Sequence, residues 1–479
     1  MPFEFVDNNA AIDGATRRRI RSHVAIGKNA GKTLMRPSRI KTNGREVGAK
    51  PIAAIVSIPR VVADARNVEV EESGGYSIER MIGDGLSVFS FPEQGSVKAR
   101  TIVQNAFFFV TQPYQAGDLQ TCVDTSEVPT SMWIQFMFLD EAFFHCAIAT
   151  SVTARNNLVA QKDDPKESMR HLSQTFRLIN ERLSKNDAVS DETIAVVVIL
   201  AQHERIRGRY REGLVHVGGL ERMAQLRGGA AALSRYRPGL TQKMFKVDLE
   251  YALYQGTATR FSAEDIVPNS TALFGRSHDP EVNYGQALID VIDPKLSEHL
   301  SANLRTLFID MASLSRLMND ASAGARPRIL PYIFLDTVIL LGYRLIQVSP
   351  VSGPRRRFSP LEYAVHVGLA VYIVAFLRYL GFKATDVPLV FDLARSVVKN
   401  HVGSERVDRE VILWILFVGQ ASAFREADNE WFVPKIAGTM RSLGIDSWEG
   451  VTKVLAKFPW VSDVHGKLGQ ALWYKSTLL

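Results

Sequence analysis

The chain has 479 residues, of which 46% are hydrophobic and 22% are charged, which is the usual range for a globular protein. This composition excludes a collagen-like fibre, a wholly disordered chain and a small disulfide scaffold. At about 100–200 residues per domain, the length allows two to four structural units. Two cysteines, Cys122 and Cys146, are too few for a disulfide framework or a four-thiolate zinc site, which favours a reducing compartment.

The positive charge is concentrated at the N-terminus. Residues 1–50 contain eleven Lys and Arg against four Asp and Glu, a net charge of +7 that equals the net charge of the whole chain. With no sustained apolar period, this segment is predicted to be a disordered basic arm. We expect it to serve nuclear import and weak, sequence-tolerant contact with phosphates. The residues expected to do so are Arg17, Arg18, Arg19, Arg21, Lys28 and Lys32.

Residues 27–33 resemble a phosphate-binding loop but miss its spacing. The motif needs a glycine at position 26, which is Ile26, and it should follow a buried strand. No apolar run near the N-terminus fits a secretory signal, so the protein is expected in the cytosol or nucleus. Two later apolar segments, 330–348 and 363–377, contain Asp336, Arg344 and His366. They are predicted to be buried core helices, and no membrane contact is expected.

In chain order, residues 51–127 mix β-branched and aromatic clusters with Gly and Pro breaks. Helix or strand stays open there, and we expect an irregular mixed segment that packs on a helical domain. From about residue 130 the periodicity is helical. It predicts helices over 131–151, 166–184, 191–208, 214–227, 241–255, 296–318 as one long helix, 330–348, 359–381, 388–402, 408–424 and 431–443. The expected fold is an all-α, multi-helix array.

Helix-end signals support several of these boundaries. Asp293 before Pro294 suits an N-cap followed by a first-turn proline. Ser359 followed three residues later by Glu362 forms a capping box, and Ser190 suits an N-cap. A Pro- and Arg-rich loop over 349–357 divides the predicted helical domain into a first half, 128–348, and a second half, 358–479.

Two clusters of acidic, histidine and cysteine residues are candidate metal-binding sites. Asp163, Asp164 and Glu167 match the Asp-Asp-x-x-Glu pattern with which helical terpenoid cyclases hold magnesium against a diphosphate. Pro165 suits a first-turn position, so a common helix face for the carboxylates is not expected. A magnesium- and diphosphate-dependent helical enzyme remains the alternative function.

The second cluster is Asp140, Glu141, His145 and Cys146, which lie within two turns. Its aromatic surroundings favour a structural role over metal binding. Neither a HExxH nor a G-x-S-x-G motif occurs in the sequence. The sequence therefore predicts no catalytic residues, no metal and no cofactor, and a protein that is not an enzyme.

One stretch carries a family resemblance. Residues 216–229 are similar to the His-x-x-Gly-Leu-x-x-Met-x-x-x-Arg-Gly-Gly signature in the regulatory region of fungal-specific transcription factors. The matching positions are His216, Gly219, Leu220, Met223, Arg227, Gly228 and Gly229. Further similarity lies at Phe5-Val6-Asp7, residues 20–24, residues 27–29, Gly83, Gly85, Phe89, Phe91-Pro92, Trp133 and residues 140–147. By motif, the resemblance covers roughly residues 1–230.

The resemblance implies a nuclear regulatory protein whose helical domain recognises a protein or small ligand. Family members that bind DNA usually do so through an N-terminal zinc cluster with six cysteines. This chain has no cysteine before position 122, so the resemblance implies action through a partner, for example a DNA-binding transcription factor. A protein-interaction scaffold outside the nucleus is a third possibility.

The signature itself has a structural interpretation. Val217, Leu220, Met223, Ala224 and Leu226 are predicted to form the apolar side of a helix. Gly228 should end that helix with a positive φ. Gly218 and Gly219 are expected to allow close helix approach, and His216 and Arg227 to fix the two helix ends.

Overall fold

The protein is helical throughout the part of the chain that the structure describes. The computed structural model describes residues 106, 119–124, 132–158, 165–266, 273, 293–353, 358–379, 387–400, 405–422 and 429–478. Within these ranges there are seventeen α-helices and no β-strand. Val123 and Ile329 form an isolated parallel β-bridge. The all-α prediction is confirmed. The basic arm, the loop at 27–33 and most of 51–127 lie outside the described residues.

Eight α-helices and one 3₁₀ helix precede residue 267. They are α1 Met132–Leu139, α2 Glu141–Leu158, α3 Pro165–Leu183, the 3₁₀ helix Asn186–Val189, α4 Asp191–Ile206, α5 Tyr210–Leu226, α6 Ala230–Tyr236, α7 Pro238–Gln255 and α8 Ala263–Ile266. Nine follow. They are α9 Pro294–His299, α10 Ala302–Ser322, α11 Pro331–Val348, α12 Pro360–Tyr379, α13 Pro388–Asn400, α14 Arg406–Ser422, α15 Asn429–Leu443, α16 Trp448–Leu455 and α17 Ser462–Thr477.

Two predicted helices are each divided in the structure. The helix expected over 131–151 breaks at Asp140, whose Oδ1 accepts a hydrogen bond from Phe143 N at 2.7 Å and so caps α2. The long helix expected through 296–318 breaks at Leu300 and Ser301, between α9 and α10. Buried apolar residues lie on both sides of each break: Phe136 and Phe143 flank the first, and Leu296 and Leu300 are buried although they precede α10. Periodicity alone therefore could not reveal them.

Helix-end residues predicted the helix boundaries more accurately than apolar periodicity. Asp293 Oδ1 accepts from Lys295 N at 3.0 Å and Ser190 Oγ from Thr193 N at 3.2 Å, which confirms both N-caps. Ser359 Oγ accepts from Glu362 N at 3.1 Å, which is one of the two hydrogen bonds of a capping box. The carboxylate of Glu362 accepts from Ser301 N at 2.9 Å. It thereby ties the start of α12 to the break between α9 and α10.

The two apolar helices predicted for the core are buried. By length and composition α11 and the first part of α12 could also cross a membrane, but 67% and 89% of their apolar windows are buried inside the protein. Helix α12 packs against α11, α13 and α14, whereas α7 contacts α4, α11 and α13. The described helices on both sides of residues 349–357 thus belong to one compact unit.

Candidate functional site

The signature residues lie on α5 and at its junction with α6. Helix α5 begins at Tyr210, four residues earlier than predicted, so His216 lies inside the helix, and the expectation that it fixes a helix end is wrong. Its side chain is buried, and burial lowers its pKa to about 4. Val217, Leu220, Met223 and Ala224 are buried as predicted.

Leu226 departs from the predicted apolar side of α5. Its side chain is 59% exposed. At about 100° per residue, Leu226 lies about 120° around the helix from Leu220, away from the buried face. Including Leu226 in the apolar side was therefore wrong, and the structure places an apolar side chain at the surface beside Arg227.

The glycine pair ends α5 as the sequence predicted. Gly228 has φ 88° and Gly229 has φ 98°, a left-handed region that residues with a Cβ rarely adopt. Gly228 N donates to Gln225 O at 3.1 Å and Gly229 N to Ala224 O at 2.8 Å, which satisfies carbonyls at the helix end. This turn fixes the direction in which α6 leaves α5.

The expected close approach at Gly218 and Gly219 is not observed. A Cβ on either residue would lie 3.8–4.0 Å from its nearest neighbour, which is ordinary contact. The close approach occurs instead at Gly213, where a Cβ would lie 1.6 Å from the hydroxyl oxygen of Tyr251. That hydroxyl donates to Ala201 O at 2.7 Å. Gly213 therefore permits the packing of α4, α5 and α7, although it lies outside the signature and no local pattern marks it.

Arg227 links the end of α5 to the start of α4. Its Nη1 donates to Val189 O at 2.8 Å and to Asp191 Oδ1 at 3.0 Å. Arg237, which directly follows α6, pairs through Nε with the other carboxylate oxygen of Asp191. Arg227 thus fixes a helix end, as predicted, and Asp191 holds the C-terminal ends of both α5 and α6.

A buried charge cluster lies near the C-terminal end of α4, at the opposite end of that helix from Asp191, and we define it as Arg205 on α4 with Lys243, Lys246 and Glu250 on α7. Glu250 Oε1 lies 2.6 Å from Lys246 Nζ and 2.8 Å from Arg205 Nη1. The Lys246 and Glu250 side chains are 2% and 0% exposed. A fully buried carboxylate is tolerable only beside such partners.

The cluster shifts its own protonation equilibria. Burial acts to raise the pKa of Glu250, but the charges of Arg205 and Lys246 outweigh it and the pKa is lowered. Burial lowers the pKa of Lys246. Burial, with the charge of Lys246, lowers the pKa of Lys243 to about 7. The single carboxylate of Glu250 pairs with two of the three cations, and the lowered pKa values of both lysines reduce the remaining positive charge, which is the pattern of a structural ion network.

A second buried acid, Asp248, holds the segment after α7. Its carboxylate accepts from Arg260 N at 3.0 Å, Phe261 N at 3.2 Å and the Tyr343 hydroxyl at 2.7 Å. Burial raises the pKa of Asp248 despite these bonds. Because several donors face one carboxylate, its role is to order the backbone at residues 260–261 and to join α7 to α11.

The two sequence clusters considered for chemistry do not form a metal site where they are described. Asp140 caps α2 and pairs with Arg182 at 2.5 Å, and His145 Nδ1 lies 2.7 Å from His171 Nδ1. Of the residues that the structure describes, no three His, Cys, Asp or Glu side chains are arranged to hold a metal ion. Helix α3 begins at Pro165, so Asp163 and Asp164 precede it, outside the described residues.

Comparison with known proteins gave no match: no family model, no curated protein and no solved structure matches this chain. The resemblance to fungal-specific transcription factors therefore rests on its motif residues and stays a prediction.

Proposed function

We propose that the protein is a non-enzymatic regulatory protein, similar to fungal-specific transcription factors, that acts in the nucleus through recognition of a protein or small ligand. The observation that carries the proposal is the structure of the signature. Its residues build a fixed corner between α4, α5 and α6, in which Gly228 and Gly229 turn the chain and Arg227 is bound to Asp191. Signature residues in such roles support a recognition domain more than a reaction centre.

The arrangement of charged groups supports the same proposal. Two of the most strongly buried acids among the described residues, Glu250 and Asp248, are each surrounded by donors from the protein itself. An acid or base that acts on a substrate must reach it. The charged groups available to a partner lie instead at the surface and in the basic arm. Residues 1–121 contain no cysteine and so supply no zinc-cluster head, and recognition of promoters through these residues would use a DNA-binding partner.

The test is to follow the tagged full-length chain in fungal cells. We expect a nuclear protein with discrete promoter peaks in chromatin immunoprecipitation. Replacing Arg17, Arg18, Arg19 and Arg21 by Ala should move it to the cytoplasm, because the basic cluster would no longer pair with acidic grooves of an import receptor. The matched control replaces Arg36, Arg39, Lys41 and Arg45 by Ala, which removes the same charge from the same arm and should leave the protein nuclear.

Two outcomes would contradict the proposal. A cytoplasmic wild-type protein without promoter enrichment would favour the scaffold outside the nucleus. Heat of binding of magnesium and pyrophosphate in calorimetry, abolished by Asp164→Ala, would favour the diphosphate-dependent enzyme.

A further inference from the structure

A basic and apolar surface lies at the C-terminal ends of α5 and α6. We name it the α5/α6 surface and define it by Arg222, Leu226, Arg235, Tyr236 and Arg237. Residues 207–237, which include it, contain seven Arg and two Glu, a net charge of +5. Arg207, Arg209 and Arg211 lie at the other end of α5, so at the surface itself the count is Arg222, Arg227, Arg235 and Arg237 against Asp191 and Glu192, a net charge of +2.

Some of these arginines are available to a partner. Arg222 and Arg235 are exposed and make no ion pair within the part of the chain that the structure describes. Arg237 is half-exposed and shares the single carboxylate of Asp191 with Arg227. Glu192 is the other acid near Arg237. Positive charge therefore exceeds negative charge here, and a carboxylate from outside would be attracted.

The same surface exposes two large apolar side chains. Leu226 is 59% and Tyr236 is 70% exposed. Each directly precedes one of the two arginines that converge on Asp191, so their backbones lie at neighbouring helix ends. Single exposed apolar residues are common, but Tyr and Arg together are the residues enriched where protein interfaces gain most of their binding energy.

The surface is also held in place before any partner arrives. Arg227 binds Val189 O and Asp191, while Leu220, Ala224 and Leu233 are buried beneath it. A surface that is already ordered loses little conformational freedom on binding, which improves affinity. This distinguishes it from the basic arm, whose expected contacts depend on charge alone.

From these observations we infer that the α5/α6 surface is a docking site for an acidic segment of a partner protein that also carries apolar side chains. Carboxylates of the segment would pair with Arg222 and Arg235, and its apolar side chains would cover Leu226 and Tyr236. Nucleic acid is disfavoured because phosphates would leave Leu226 uncovered. The inference deepens the proposed function and rests on it, because it names the surface and the partner class for recognition of a protein.

The test uses the purified full-length chain and a fluorescent 20-residue peptide with the repeat Glu-Leu-Asp-Phe. A second peptide, in which Ser replaces every Leu and Phe, keeps the charge and reports binding that depends on charge alone. The variant Arg235→Glu/Tyr236→Ser changes the α5/α6 surface. Its matched control is Lys475→Glu/Tyr474→Ser on α17, where the tyrosine is 60% exposed and an exposed cation is its neighbour.

We expect saturable binding of the first peptide that the Arg235/Tyr236 variant weakens at least tenfold and the α17 variant leaves unchanged. The serine peptide, which keeps the carboxylates but lacks the apolar side chains, should bind wild type more weakly than the first peptide does, and the Arg235/Tyr236 variant should weaken its binding less than tenfold. Should the Arg235/Tyr236 variant melt at a lower temperature than wild type, the exposed Arg222→Glu replacement supplies the same comparison.

Several results would overturn the inference. They are no saturable binding at millimolar peptide, equal weakening by both double variants, or tighter binding of a 30-base-pair DNA duplex that is lost with Arg235→Glu/Tyr236→Ser. None of them bears on nuclear location or promoter peaks, so failure of this inference is distinguishable from failure of the proposed function.

Discussion

Replacing Glu250 by Gln tests whether the buried charge cluster is held by its one carboxylate. Glu250 Oε1 lies within 2.8 Å of both Arg205 and Lys246. The replacement keeps the size of the side chain but leaves two buried cations without their shared negative charge. Breaking a buried ion pair in this way costs about 3–5 kcal/mol. The m value in urea rises with size above the roughly 3 kcal/mol/M of small proteins, so the urea midpoint would fall by about 0.5–1.5 M.

The chain offers a matched control in Glu449→Gln. Glu449 and Lys453 are also four residues apart on one helix and lie 2.9 Å apart, but their side chains are 78% and 74% exposed. Since water already solvates both groups, this variant should unfold at the wild-type midpoint. Equilibrium unfolding in urea, followed by tryptophan fluorescence and circular dichroism, measures both midpoints.

The loss in Glu250→Gln should also depend on pH. Burial lowers the pKa of Lys246 in the folded protein, and removing Glu250 lowers it further. Between the pKa of Lys246 in the variant and its higher pKa in wild type, Lys246 is deprotonated only in the folded variant, so the stability of the variant rises with pH relative to that of wild type. Part of the loss at pH 7 should therefore be recovered at pH 9. A loss equal to that of Glu449→Gln, or one unchanged between pH 7 and pH 9, would refute the reasoning.

Two further predictions concern packing and pH. Gly213→Ala should destabilise the protein by about 1–3 kcal/mol, because the new Cβ would displace the Tyr251 hydroxyl. The control is Gly438→Ala in α15, where a Cβ meets nothing within 4 Å; it should stabilise the protein by about 1 kcal/mol. Equal thermal midpoints for the two variants would contradict this prediction. Burial lowers the pKa of His465 to about 3, so its contribution to stability is lost as the pH falls from about 6.5 towards that value. As the pH falls through this range, the free energy of unfolding of wild type should decrease by about 1.4 kcal/mol more per pH unit than that of His465→Phe. Urea unfolding at several pH values measures both, and the same dependence on pH in the two proteins would argue against the prediction.

The sequence predicted most of the long helices because apolar periodicity and end signals are local, but it did not predict α6, α16 or α17. Asp293, Ser190 and Gly228 each act within a few residues of themselves, and all three were assigned correctly. The break at Leu300 and Ser301 was missed because the leucines on both sides remain buried. What completes that break is the carboxylate of Glu362 on Ser301 N, a contact across 61 positions that no local pattern contains.

The buried charges were missed for a related reason. Lys243, Lys246 and Glu250 follow helical spacing, and charged residues on a helix usually face water. Only the packing of α7 against α4 shows that they face Arg205 and the interior. In the same way, leucine is a residue type that is usually buried, yet the helix geometry places Leu226 at the surface. The surroundings of the α7 charges and of Leu226 could not be predicted from residue type, because they depend on the neighbouring helices.

Helix α4 joins the two features that sequence reasoning could not connect. Asp191 at its N-terminus holds the arginines that end α5 and follow α6, and Arg205 near its C-terminus binds Glu250 in the interior. The intervening residues from Thr193 to Ala201 are all buried, so the helix has little room to shift. The α5/α6 surface therefore takes its fixed shape from a helix anchored by charge at both ends, which is the pre-organisation that docking of an acidic segment requires.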